Sequence, residues 1–141
     1  MKKVLMLMAS VVFGTVLMGC QSESTSQQQM QQSVTGTVAY RERILLPDNA
    51  VVIVRLQDIS LADAPAKLIA EQAMETKGSQ VPFAYSLSYD TDIIKPGHRY
   101  AVSARIEVNG KLRFITDTVY SVITDENQTH HRDLMLVGVA Q

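Results

Sequence analysis

The sequence lacks most of the residues and motifs on which enzyme active sites depend. Its 141 residues include one cysteine, no tryptophan, five tyrosines and three phenylalanines. One cysteine excludes an intrachain disulfide, and the absence of tryptophan removes a common platform for stacking on sugars. No GxSxG motif, HExxH motif or phosphate-binding loop is present. We therefore expect neither catalytic residues nor a cofactor.

An excess of charge of one sign is also missing. The chain carries 13 Lys and Arg against 14 Asp and Glu, a net charge of −1. Without Lys2 and Lys3 the count is 11 basic against 14 acidic residues, a net charge of −3. A mildly acidic protein has no electrostatic footprint for nucleic acid and no basic attraction to anionic lipid. We expect no nucleic-acid partner, and any membrane association must have another cause.

The one long hydrophobic run stands at the amino terminus. Lys2 and Lys3 precede residues 4–18, which are apolar apart from Ala, Ser, Gly and Thr, and the run closes on Gly19 and Cys20. A basic start, an apolar middle and a small residue at the end are typical of a secretory signal peptide. The alternatives are an uncleaved anchor or a core helix. A spanning helix generally needs about 20 apolar residues, and a polar tract ends this run sooner.

The end of this run, Leu17-Met18-Gly19-Cys20, resembles the lipobox of bacterial lipoproteins. The resemblance implies transfer of diacylglycerol to the Cys20 sulfur, cleavage between Gly19 and Cys20, and acylation of the new amino terminus, for example by palmitate. Each buried methylene contributes about 0.8 kcal/mol, so two or three chains anchor where a single myristoyl does not. Gln21 follows where Asp would favour inner-membrane retention, which implies an outer-membrane protein that faces the periplasm of a Gram-negative bacterium.

Residues 21–33 are rich in Gln and Ser and show no hydrophobic periodicity. Such a tract cannot bury enough apolar surface to fold, so we interpret it as a flexible linker. The sequence thus predicts three parts. They are a signal peptide (1–19), the lipidated cysteine with its linker (20–33) and one folded domain (34–141).

The domain shows the alternation of polar and apolar residues that predicts β-strands. The predicted strands are Val34–Tyr40, Ala50–Asp58, Val81–Tyr89, Tyr100–Val108, Lys111–Thr116, Thr118–Thr124 and Asp133–Val139. Asn109-Gly110 between two of them predicts a two-residue hairpin, because both central residues must adopt positive φ. Short strands joined by turns predict an all-β domain, either a small β-sandwich or a partly closed barrel.

The segment Leu61–Lys77 does not fit this pattern. Its Ala, Glu, Gln, Lys and Met residues favour a helix, which Asp63 ahead of Pro65 would begin. As a strand, residues 67–74 alternate only weakly. From the residues alone, the segment is predicted to be helical.

Three blocks together resemble the YbaY-like lipoproteins, which are grouped with the YscW family of type III secretion lipoprotein chaperones. The blocks are SLADAPAKLIAEQ (60–72), PFAYSLSYD (82–90) and ARIEVNGKLRFITDTVYSV (104–122). The resemblance implies an immunoglobulin- or transthyretin-like β-sandwich, in which residues 67–74 form a strand rather than a helix. Only Cys20 matches a functional residue of the family, as the lipidation site.

The same resemblance implies a function. The secretion members of the family act as pilotins, which bind a secretin subunit and guide its assembly in the outer membrane, whereas the YbaY-like members have no established activity. We therefore expect a non-enzymatic envelope lipoprotein that binds or chaperones another envelope component. The alternative is a glycan- or cell-wall-binding module, because β-sandwiches host many lectin-like sites.

Other polar groups have simpler interpretations. His98, His130 and His131 suggest a metal site, but neighbouring residues on a strand point to opposite faces, so loop histidines are favoured. Asp90 and Asp92 suggest calcium, but an Asx-type turn is favoured. Asp117 has no nucleophile–base pair beside it. The five tyrosines are either interface anchors or, as we favour, core and rim residues: Tyr40, Tyr85, Tyr89, Tyr100 and Tyr120.

Overall fold

The structure, a computed structural model, describes residues 30–140. Gly19, Cys20, the signal peptide and residues 21–29 of the linker lie outside the described residues. The described strands are β1 (Gln31–Tyr40), β2 (Val51–Asp58), β3 (Lys67–Glu75), β4 (Phe83–Asp90), β5 (Tyr100–Val108), β6 (Lys111–Ile115), β7 (Tyr120–Val122) and β8 (Leu134–Gly138). One short 3₁₀ turn spans Thr91–Ile93. Within residues 30–140, no helix is long and apolar enough to cross a membrane.

The strands form one continuous, nearly closed sheet in the order β3-β2-β5-β6-β8-β1-β4, with β7 also paired to β5. Strand β8 connects the β3-β2-β5-β6 part of this sheet to the β1-β4 part, because it pairs antiparallel with β6 and in parallel with β1. The prediction of an all-β fold is confirmed. Strand β1 begins at Gln31 rather than at Val34, so the last residues of the predicted linker belong to the first strand.

Alternation along the strands places one set of side chains inside. In β4, Phe83, Tyr85, Leu87 and Tyr89 are all buried, as their period of two predicts. In β5 the predicted inward face is buried in the same way, at Tyr100, Val102, Ala104, Ile106 and Val108. Burial of this apolar surface is the main force that holds the sheet closed.

The predicted hairpin is confirmed. Strands β5 and β6 are antiparallel neighbours joined by Asn109 and Gly110, whose φ angles are 52° and 76°. Both residues are therefore in the left-handed region that a type I′ turn requires. The side-chain Nδ2 of Asn49 donates to the Asn109 side-chain oxygen, and this bond connects the turn to the segment before β2.

The helix that composition favours at 61–77 is wrong, and the strand implied by the family resemblance is confirmed. Residues 67–75 pair antiparallel with β2 along its whole length, from Val51 opposite Glu75 to Asp58 opposite Lys67. Ile69 and Met74 pack against the core. Pairing with β2 and partial burial thus outweigh the local preference for helix, which is worth only tenths of a kcal/mol per residue.

Two seams remain where neighbouring strands are not paired by backbone hydrogen bonds. At the seam between β3 and β4, the Gln72 side-chain oxygen accepts the Ser86 N–H at 2.9 Å. At the seam between β7 and β8, the Tyr120 hydroxyl accepts the Met135 N–H at 3.1 Å. Side chains therefore take over some of the bonds that a fully closed barrel would make through its backbone.

Candidate functional site

A concave depression lies at the end of the barrel where β2 ends and β3 begins. We call it the His98 pocket, a cavity of about 220 Å³. Its walls come from the β2–β3 connection, from β3 and from the connection between β4 and β5. The lining residues are Asp58, Leu61, Pro65, Lys67, Ile69, Ile93, Lys95 and His98.

A hydrogen-bonded network forms the base of this pocket. Asp58 is the last residue of β2, and its Oδ2 lies 2.7 Å from His98 Nδ1. The other carboxylate oxygen accepts the Ser60 N–H at 2.9 Å and the Ser60 hydroxyl at 2.5 Å. Hydrogen bonds from His98 and Ser60 lower the pKa of Asp58 to about 2, so this carboxylate is ionised at neutral pH.

The same network fixes the two connections against each other. Ser60 Oγ accepts the Arg99 N–H at 2.8 Å, and the Ile59 N–H donates to the Arg99 carbonyl at 2.8 Å. Gly97, with a φ of 82°, allows the tight turn in which the His98 N–H donates to the Lys95 carbonyl at 3.1 Å. The walls of the pocket are therefore held by bonds that the chain makes to itself.

Ser, His and Asp occur together here, but their order differs from that of a nucleophilic triad. In a triad the serine hydroxyl bonds to the histidine, whose other nitrogen bonds to the aspartate. Here the hydrogen bonds of both Ser60 and His98 converge on Asp58. This arrangement orients side chains and stabilises one carboxylate, which suits a binding site better than proton transfer.

The walls remain apolar and accessible. Leu61 is 71% exposed and Ile93 is 43% exposed, although both face a concave surface. Lys67 and Lys95 stand at the rim, and neither forms an ion pair with any of the residues described. The pocket thus presents hydrophobic surface beside two uncompensated positive charges.

The position of the pocket relative to the amino terminus is fixed by β1. Gln31 pairs with Asp90, and the Thr91 N–H donates to the Met30 carbonyl at 3.0 Å. The 3₁₀ turn that follows carries Ile93 into the pocket wall. The pocket therefore opens at the end of the domain where the chain enters from residues 1–29.

A second apolar surface lies over the seam between β7 and β8. Two shallow depressions of about 260 and 340 Å³ share Asp117 and Thr118. Val119, which lines the first depression, is 67% exposed, and Met135 and Val137, which line the second, are each 37% exposed. Charges of both signs, Glu42 and Arg41 among them, border this surface.

The histidines considered as metal ligands are not brought together. His98 contacts Asp58, whereas His130 Nε2 lies 3.0 Å from the Tyr89 hydroxyl, and His131 Nε2 lies 3.2 Å from Asp133 Oδ1. Within residues 30–140, no group of three His, Cys, Asp or Glu side chains is arranged to hold a metal ion.

The acidic candidates are also dispersed. The Asx-type turn expected at Asp90 is wrong, because its side chain makes no capping bond and instead accepts a hydrogen bond from Gln31, its partner across the sheet, at 3.4 Å. Asp92 is exposed in the 3₁₀ turn. Asp117 is exposed and accepts a bond from the neighbouring Thr118 at 3.2 Å.

The tyrosines are core and rim residues, as favoured from the sequence. Tyr40, Tyr85, Tyr89 and Tyr100 are buried, and Tyr120 is partly exposed at its seam. Burial raises the pKa of Tyr85, whose hydroxyl donates to the Arg132 carbonyl at 2.7 Å. These hydroxyls are committed to internal hydrogen bonds.

Sequence reasoning missed the His98 pocket. Two features of the sequence belong to it: the Pro96-Gly97 turn beside His98, and the block 60–72, which contains Leu61, Pro65, Lys67 and Ile69. Neither shows that Asp58 lies next to His98, because 40 residues separate them and only the pairing of β2 with β5 brings them together.

Comparison with known proteins identifies relatives of this domain. The model of the type III secretion system lipoprotein chaperone family (YscW) matches residues 29–136. The uncharacterized lipoprotein YbaY of Escherichia coli (strain K12) is 46% identical over 119 residues, which cover 84% of this chain and 62% of that protein. The chain thus spans less than two thirds of the length of that relative.

A solved structure is also similar. It is an alternative pilotin from the type II secretion system of Vibrio cholerae, with 65% sequence identity and a TM-score of 0.77. The match covers 79% of this chain and 99% of the pilotin. Since the family model matches well over half of the chain, and does so over the strands described above, this protein belongs to the YscW family of secretion system lipoprotein chaperones.

Proposed function

We propose that this protein is a pilotin-like lipoprotein, anchored to the outer membrane through acyl chains on Cys20, that binds a secretin-type component of a secretion system and assists its assembly. The observation that carries the proposal is the 65% identity with an alternative type II secretion pilotin, of which the match covers 99%. A TM-score of 0.77 at this identity supports a shared fold across the matched residues.

The geometry is consistent with binding rather than catalysis. The polar residues at the base of the His98 pocket are satisfied by each other, and the exposed groups around them are apolar walls and lysines. Apolar surface that remains accessible in a concave site is typical of protein recognition. The proposed role is therefore non-enzymatic.

The test is co-purification of the full-length, lipid-modified protein with the secretin of the same organism from detergent-solubilised envelopes. We expect the secretin to be enriched, and a strain that lacks the lipoprotein to contain less secretin in its outer-membrane fraction. Unchanged assembly, together with no enrichment over an unrelated outer-membrane lipoprotein, would contradict the proposal.

The proposed anchor has a separate test. A Cys20→Ala variant should lose incorporation of labelled palmitate and leave the outer-membrane fraction, because the proposed anchor in that membrane is the set of acyl chains on Cys20 and residues 21–141 are mildly acidic. A Cys20→Ala protein that stayed in the outer membrane would show that the anchor lies elsewhere.

A further inference from the structure

The structure points to a particular place and chemistry for partner binding. We propose that the His98 pocket receives an apolar side chain of the bound secretion component, next to a carboxylate of that component which contacts Lys67 and Lys95. This inference rests on the proposed function, because it concerns where and how that component binds.

The size of the pocket favours a side chain over a small-molecule ligand. Its volume of about 220 Å³ is below the roughly 300–1,000 Å³ of pockets that enclose drug-sized ligands. One large apolar side chain that fills a pocket is the usual form of an interface hot spot. Leu61, 71% exposed, and Ile93, 43% exposed, would lose their water contact when such a side chain enters.

The base of the pocket is organised before any partner arrives. Asp58 accepts bonds from Ser60 and lies 2.7 Å from His98, so its charge is already stabilised. The Arg99 N–H donates to Ser60 Oγ and the Arg99 carbonyl accepts the Ile59 N–H, and these two bonds hold the walls together. A preformed site reduces the entropy lost on binding, which increases the affinity obtained from a small contact area.

The rim determines the charge of the partner. Lys67 and Lys95 line the pocket without ion pairs to other residues described, and the only acidic lining residue, Asp58, is bonded to His98. A carboxylate beside the apolar anchor would therefore meet two free cations. Complementary charges at a rim mainly increase the rate and the specificity of association.

A lipid surface is less suited to this end of the domain. The connections around the pocket carry several acidic residues, which would be repelled by an anionic bilayer. They are Asp63 in the β2–β3 connection, Asp92 in the 3₁₀ turn and Asp90 immediately before that turn. The lysines can attract one carboxylate locally, whereas a charged bilayer would meet the acidic residues as well.

The position of the pocket supports the same occupant. It opens at the end where the chain arrives from Cys20, ten residues before Met30. Ten residues span at most about 35 Å even when fully extended. An anchored domain would therefore hold a partner in this pocket close to the membrane into which that partner is inserted.

The test compares the pocket with the opposite end of the barrel, using the full-length protein in detergent and the purified secretin. The pocket variants are Leu61→Asp and Lys95→Glu, and their matched controls are Leu45→Asp and Lys111→Glu. Leu45 is 81% exposed beyond β1, and Lys111 is exposed in the hairpin. All four positions are at the surface, so folding should persist, and a thermal melt of each variant checks this.

We expect Leu61→Asp to weaken binding by about tenfold, which corresponds to about 1.4 kcal/mol. Lys95→Glu should weaken it by about threefold and reduce its salt dependence. Both controls should remain within about twofold of the unmodified protein. A photo-crosslinker at position 61, but not at position 45, should capture the secretin.

Each outcome decides one question. Equal effects of Leu61→Asp and Leu45→Asp, with secretin binding otherwise intact, would overturn the pocket while the proposed function stands. Absence of binding by the unmodified protein would instead contradict the proposed function.

Vesicles of phosphatidylethanolamine and phosphatidylglycerol test the lipid alternative. If Leu61→Asp abolished vesicle flotation of an unlipidated protein that lacks residues 1–20 and left secretin binding of the full protein unchanged, the pocket would serve lipid and the inference would be wrong.

Discussion

The His98 pocket and the β7–β8 seam both expose apolar side chains, yet they use their polar groups in opposite ways. In the pocket, Asp58, Ser60 and His98 bond to one another, which leaves the walls and the lysines free. At the seam, Tyr120 bonds to the backbone of β8. The polar groups of the pocket thus bond among the connections that form its walls, and only Lys67 and Lys95 remain available to a partner, whereas the seam hydroxyl serves the pairing of the strands.

The largest effect is expected on the seam side, at Gly36 of β1. A Cβ atom at this position would lie 1.7 Å from the Arg132 carbonyl oxygen, in the segment that leads into β8. We expect Gly36→Ala to lower the free energy of unfolding by about 3 kcal/mol or more, since backbone must move to relieve the clash. Urea denaturation measures this, and a loss below about 1 kcal/mol would show that the segment yields easily.

A smaller loss is expected when the seam hydroxyl is removed. Tyr120→Phe would leave the Met135 N–H without the partner it has at 3.1 Å. The expected loss is about 0.5–1.5 kcal/mol of stability, the net contribution of a typical hydrogen bond, because this bond lies at the surface and water can replace the hydroxyl. Partner affinity should be unchanged. A Tyr120→Phe protein with normal stability and weakened secretin binding would reverse the roles assigned to seam and pocket.

The pocket network should make stability depend on pH. The pKa of Asp58 is about 2 in the folded protein against an ordinary value of 3.8. The contribution of this carboxylate is therefore complete above pH 3.8 and is lost as the pH falls toward 2. Asp58→Asn should be less stable than the unmodified protein at pH 7, and the difference should shrink across this window. Urea titrations at several pH values provide the measurement, and a difference that grew toward low pH would contradict the assigned pKa.

The smallest effect on stability is expected from the pocket wall. Leu61 is 71% exposed, so Leu61→Asp should change the free energy of unfolding by less than about 0.5 kcal/mol. Together with a large loss of binding, this result would separate a recognition surface from a structural one. A marked loss of stability would place Leu61 among the residues that hold the β2–β3 connection.

Most strands follow from local pattern, and the exceptions share a physical cause. Strand β5 has the predicted bounds, Tyr100–Val108, and the Asn109-Gly110 turn is confirmed. By contrast, the predicted strand Thr118–Thr124 is reduced to β7, Tyr120–Val122. Pairing explains the difference. Thr116 still contacts Ala104, but β7 resumes pairing with β5 only at Tyr120 opposite Val102, so residues 117–119 leave the sheet.

The sequence predicts the inward and outward faces of the strands, the hairpin turn and the family, because these depend on neighbouring residues and on contiguous blocks. It predicted the lipid anchor at Cys20 on the same basis. Residue propensity missed the strand at 67–75, which the family resemblance implied and the structure confirms, and no pattern in the sequence indicated that Asp58 lies against His98. Both depend on long-range strand pairing, whose partners are distant in the chain and leave no local periodic signal.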